Sequence, residues 1–111
     1  MLIYKVLRAP EWALMQRDGA TAGAPVDLAD GYIHFSTAEQ LNVTLRKHFT
    51  EEDGLMLLAC DVGALAPDLR WEPSRGGALF PHLYRPLGMN EVLWSRPIPL
   101  TTHGHDTGAL L

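Results

Sequence analysis

The sequence predicts a single α+β domain spanning residues 1–111, and three observations carry the prediction. Short apolar runs of strand length recur from the first residues to Arg96, while Pro10 to Arg17 and Thr37 to Phe49 carry helix signals instead. Segments rich in glycine, proline and aspartate separate them. The composition, 47% hydrophobic and 20% charged, is globular, and 111 residues can bury a core without disulfide or metal staples.

Ile3 to Arg8 reads as a first strand. Pro10 to Arg17 follows as a short helix, with proline in its first turn and Gly19 beyond its end. Ala20 to Asp30, with Pro25, has the composition of a surface loop, and Asp27 and Asp30 flank the start of the next strand. In that strand, about Tyr32 to Ser36, alternation points Tyr32, His34 and Ser36 to one face and Ile33 and Phe35 to the other. Ser36 followed by Glu39 fits a capping box opening a helix from Thr37 to about Phe49, with Leu41, Leu45 and Phe49 along its buried stripe.

Glu51 to Gly54 makes a charged turn before Leu55 to Asp61, an unbroken apolar run that belongs in the middle of a sheet. Val62 to Leu69 is a helical turn broken by Pro67, and Leu69 to Glu72 a strand. Pro73 to Ala78 reads as a flexible loop, followed by the compact segment Phe80 to Tyr84, in which His82 and Tyr84 share a face if it is extended. A last strand, about Glu91 to Arg96, precedes a weakly structured tail over residues 101–111.

A net charge of -4 argues against general nucleic-acid binding, which needs a basic face to displace counterions. Cys60 is the sole cysteine, sits in an apolar run, and reads as a buried structural thiol in a reducing compartment. The N-terminal segment lacks signal-peptide features and no apolar run reaches membrane-spanning length, so the expectation is a soluble, cytoplasmic protein.

Polar residues interrupting apolar strands mark the candidate chemistry, because burying them unpartnered is costly. His34, Glu72, His82 and Tyr84 stand out: two imidazoles and a carboxylate can supply acid-base or ligand-binding groups near neutral pH. Each histidine taken alone reads more readily as a hydrogen-bonded structural residue, and it is their clustering on strands that brings the functional reading level with it. Arg75, with Gly76 and Gly77, offers a guanidinium and backbone donors to a phosphate or carboxylate, although no phosphate-loop or dinucleotide fingerprint is present. His103 and His105 lack metal-site spacing, and no metal is expected. Trp71, beside Glu72, is a packing residue or the wall of a cleft.

Tyr4-Lys5, Asp30-Gly31-Tyr32-Ile33-His34-Phe35-Ser36-Thr37, Trp71-Glu72 and Phe80-Pro81-His82-Leu83-Tyr84 together resemble the bacterial family known as domain of unknown function 952, over nearly the entire chain. The order of elements is also similar to the core of ADP-ribosyltransferases. That resemblance implies a split, strongly curved, mainly antiparallel sheet arrangement with two main helices and a cleft that binds NAD as substrate. By similarity, Lys5 falls near the first of three functional positions and His34 and Ser36 at the second; Glu72 or Glu91 falls at the third. No histidine or arginine occupies the first position, a departure from the family pattern. The expectation is an ADP-ribosyltransferase-like enzyme with His34, Glu72, His82 and Tyr84 in catalysis and Lys5, Ser36 and Arg75 binding NAD or a related nucleotide. The alternative is a non-enzymatic module that binds a small molecule or partner in the same cleft, its oligomeric state left open.

Overall fold

Leu55–Asp61, the longest apolar run, forms the centre of a three-stranded sheet in a computed structural model that describes residues 1–74 and 76–110. In chain order the elements are β1 (Leu2–Leu7), α1 (Ala9–Asp18), β2 (Ala20–Thr21), α2 (Pro25–Asp30), β3 (Ile33–His34), α3 (Ala38–His48) and β4 (Leu55–Asp61). There follow α4 (Val62–Leu65), β5 (Leu69–Ser74), β6 (Ala78–Leu83), β7 (Leu87–Gly88), a 3₁₀ turn (Met89–Glu91), β8 (Trp94–Ile98), β9 (Leu100–Thr101) and β10 (Gly104–His105). The result is a mixed α and β fold, and every strand pair described is antiparallel.

One sheet runs β1-β4-β8 and a second β3-β6-β5, with the short pairs β2-β7 and β9-β10 beside them. Tyr4 and Ser36 join the two larger sheets by reciprocal backbone hydrogen bonds of 2.8 and 2.9 Å. Strand alternation divides the core. Ile3, Leu7, Leu58 and Cys60 face a cluster completed by Met15 of α1, Leu65 of α4 and Ile33, Phe35 and Leu83 around the second sheet. Tyr4, Val6, Leu55, Leu57 and Ala59 face Leu41 and Leu45 of α3. Lys5 therefore lies between Ile3 and Leu7 on a buried face, where its charge requires a partner.

Several boundaries differ from the sequence reading, each for a local reason. The expected loop Ala20–Asp30 contains β2 and the six-residue α2, which Pro25 opens and Gly31, at φ 85°, closes. The cap of α3 is Thr37, not Ser36: the Thr37 hydroxyl accepts the Gln40 N–H at 3.3 Å, and the Gln40 side chain answers the Thr37 N–H at 3.1 Å. Pro73 and Ser74 extend β5, so the sequence-predicted loop there is shorter. Glu91 lies in the 3₁₀ turn, leaving the last long strand to begin at Trp94. The tail expected to be weakly structured holds the β9-β10 pair, and His105 Nε2 lies 2.7 Å from the Glu52 carbonyl oxygen. Among the described residues no helix is long and apolar enough to cross a membrane.

Candidate functional site

β3 and β6 pair with Ile33 opposite Leu83 and His34 opposite His82. Cross-strand partners share a face, so Ile33 and Leu83 enter the core while the two imidazoles emerge together. Their ring centroids stand 5.2 Å apart, edge to face. Tyr32 stacks on His82 at 4.2 Å and touches the rings of His34 at 4.7 Å and Tyr84 at 5.1 Å. The strand is shorter than the span Tyr32 to Ser36 expected from the sequence, but Tyr32 and His34 do share the face that alternation gives them.

Each imidazole is held by a carboxylate. Asp27, fully buried in α2, places Oδ1 2.5 Å from His34 Nδ1 and 3.0 Å from the His34 backbone nitrogen. Its Oδ2 accepts from Lys5 Nζ at 2.6 Å and from the Ala24 N–H at 2.7 Å. Lys5 also donates to the His34 carbonyl at 3.1 Å. Burial by itself would raise the Asp27 carboxyl, but the bonds from His34 and the charge of Lys5 outweigh it and hold the group down at about 2. Burial in turn pulls the Lys5 ammonium below its ordinary range against the opposing attraction of Asp27. On the other side of His34, Nε2 lies 3.0 Å from Asp30 Oδ2.

His82 Nδ1 lies 2.8 Å from Glu72 Oε1, and the same oxygen accepts the Tyr84 hydroxyl at 2.6 Å. Tyr84 first, and then His82, keep the Glu72 carboxyl below the usual carboxylate range; the Glu72 bond raises the Tyr84 phenol in return. The guanidinium of Arg70 lies 4.8 Å from the Tyr84 ring centroid.

A cavity of about 530 Å³ opens beside this cluster. His34, His82, Lys5 and Ser36 border it, as do Arg8, Asp30, Thr44, Ser74 and the apolar side chains of Val6, Pro25, Phe49 and Phe80. Four of the sequence-predicted residues thus share one wall. Tyr84 instead borders a smaller hollow of about 200 Å³ with Tyr32 and Asp27, and Glu72 reaches the site only through its bonds to His82 and Tyr84. Ser36 is buried, with its hydroxyl 2.8 Å from that of Thr44. Glu91, the competitor of Glu72, is bound in two places by Arg85 at 2.8 and 2.7 Å, and it borders neither hollow. Trp71 is half-exposed and does not border the cavity beside the two histidines. Arg75 lies outside the described residues.

Tyr32 stands on the face of His34 that strand alternation gives it, whereas Asp27 is a member of the site that the sequence does not mark. Asp27 lies in a segment of loop-like composition, where an aspartate is unremarkable; the available signal is Lys5 between the apolar residues of β1, whose charge obliges the fold to supply a carboxylate. Among the described residues no group of three or more histidine, cysteine or carboxylate side chains is placed to hold a metal ion.

The family model for a protein of unknown function, DUF952, matches residues 6–95. Among solved structures, the crystal structure of protein CC0527 from Caulobacter crescentus is 47% identical, covers 95% of this chain and 92% of that one, and superposes with a TM-score of 0.90. Its solution NMR structure is 46% identical, with coverage of 96% and 91% and a TM-score of 0.84. No curated protein matches the chain. The family match spans most of the sequence and the likeness to CC0527 nearly all of it; the chain belongs to the DUF952 family of proteins of unknown function.

Proposed function

We propose that this domain binds a small molecule of the nucleotide class, with NAD as the leading candidate, in the cavity beside His34 and His82. The observation that carries the reading is the pairing of two carboxylate-anchored imidazoles on the wall of a cavity of about 530 Å³. That volume lies within the range of roughly 300–1,000 Å³ typical of small-molecule sites, which combine apolar walls with a few placed polar groups. The order of elements, similar to that of ADP-ribosyltransferases, is the reason for choosing NAD. On this reading His34 contacts the ribose or nicotinamide, Glu72 supplies charge stabilisation through His82 and Tyr84, and Arg75 meets a phosphate.

A second reading, binding without turnover, is favoured by the engagement of Lys5 with Asp27 and of Ser36 with Thr44. Both groups are committed to the protein rather than free for a reacting substrate. The two readings separate when NAD is added and thermal unfolding and nicotinamide release are followed in the native protein and in His34→Ala. A stabilising shift with nicotinamide release that the variant loses supports catalysis; a shift without release supports a binding module. No shift and no release at millimolar NAD would overturn the NAD assignment.

A further inference from the structure

Resting on the reading of the cavity as a ligand site, we propose that its ligand gives His82 a neutral hydrogen-bond donor, a hydroxyl or an amide N–H. His82 Nδ1 faces Glu72 Oε1 at 2.8 Å, and that oxygen also takes the Tyr84 hydroxyl at 2.6 Å. A carboxylate only accepts, so the N–H of a neutral His82 ring belongs on Nδ1 and Nε2 carries a lone pair. Nε2 is buried and has no hydrogen-bond partner among the described residues. The His82 side chain is 3% exposed, and His82 lines the cavity whereas Glu72, its partner on Nδ1, does not. Buried polar atoms in native proteins are almost always satisfied.

The ring is not free to turn and cure this by itself. Tyr32 is stacked on it at 4.2 Å and Glu72 fixes its other edge, so reversal would forfeit the carboxylate bond. His34 is the contrasting case, with Nδ1 against Asp27 at 2.5 Å and Nε2 against Asp30 at 3.0 Å. Of the two imidazoles, His82 is the one a ligand completes. An anionic oxygen presented to Nε2 would meet a lone pair with a lone pair, whereas a hydroxyl or amide donates. Phe49, Phe80, Val6 and Pro25 suit a flat apolar group attached to that donor.

Nitrogen NMR of the histidine rings at mildly alkaline pH tests this, with three probes of nearly the same shape: benzyl alcohol, its methyl ether and benzoate. In the free protein, His82 is expected with the proton on Nδ1 and an unprotonated Nε2. Benzyl alcohol is expected to shift the Nε2 resonance, with the ether and benzoate having little effect, and Glu72→Ala, which removes the acceptor facing Nδ1, is expected to abolish the response by letting the proton move to Nε2. A proton on Nε2 in the free native protein would overturn the proposal. An equal response to all three probes would do so as well, as would no response to any, since a buried water would then be the partner of Nε2. The free-protein tautomer is read without any ligand, so its failure is distinct from a failure of NAD to bind.

Discussion

The ammonium of Lys5 lies 2.6 Å from Asp27 Oδ2, and the two side chains are 6% and 0% exposed. The same carboxylate grips the backbone and the ring of His34, so the charge that orients the imidazole is neutralised by a lysine from β1. Removing one member of a buried pair leaves the other uncompensated, at a cost of about 3–5 kcal/mol. Lys5→Met is accordingly expected to lower stability by about that amount in urea unfolding, and Lys5→Met with Asp27→Asn to recover part of it. A loss in the single variant no larger than that of an ordinary surface substitution would show that the pair is not sealed.

Asp27 also gives the domain an acid limb. Its folded value of about 2 is depressed from 3.8, so its stabilisation is fully present above the unfolded value and is lost as pH falls from near 3.8 through about 2. The difference corresponds to about 2 kcal/mol at neutral pH. Urea midpoints measured down this range are expected to fall, and Asp27→Asn to flatten the part of the decline owed to this group.

The strands and helices that pack the core were legible because their patterns are strong: the unbroken apolar run of β4 marks a strand buried on both faces, and the alternation around His34 and the four-residue repeat of α3 each mark one buried face. The weaker elements were not, since β2, α2 and the β9-β10 pair depend on partners distant in sequence. Thr21 pairs with Leu87, and His105 reaches Glu52. The site divides in the same way. His34, His82, Glu72 and Tyr84 came from strand patterning, and a hydrogen-bond and ring network joins them. Asp27 escaped because six residues beginning with Pro25 carry too little periodicity to show a helix, and nothing local reveals that its side chain is buried.

Gly23 makes room for Asp27. At φ 102° a Cβ on Gly23 would stand 2.3 Å from Asp27 Oδ2 and 2.5 Å from its Cβ, whereas at Gly19, φ 80°, it would meet nothing within 4 Å. Gly19→Ala should therefore suffer only the left-handed backbone penalty, about 1–2 kcal/mol. Gly23→Ala should lose more, and only Gly23→Ala should move the His34 ring resonances. Equal losses with unchanged His34 signals would mean that Asp27 adjusts freely.

Cys60 is packed in the core with no measurable exposure, and burial raises its thiol to about 12. Because the thiolate is the reactive form, the native protein is expected to resist a thiol-specific reagent at mildly alkaline pH and to react fully in denaturant. Labelling of the folded protein at the rate of a free thiol would contradict the packing of β4.

Tyr84 tunes the carboxylate behind His82. Its hydroxyl is the foremost cause of the depressed Glu72 value, ahead of His82, and Tyr84→Phe removes that bond while keeping the ring that meets Tyr32. The Glu72 carboxyl is then expected to titrate at higher pH in carbon NMR, toward its ordinary range, with His82 still bonded to it. Both ends of this bond lie near solvent, so stability should change little. An unchanged Glu72 titration would assign its depression to His82 instead, making the imidazole rather than the phenol the group that sets the charge at this edge of the site.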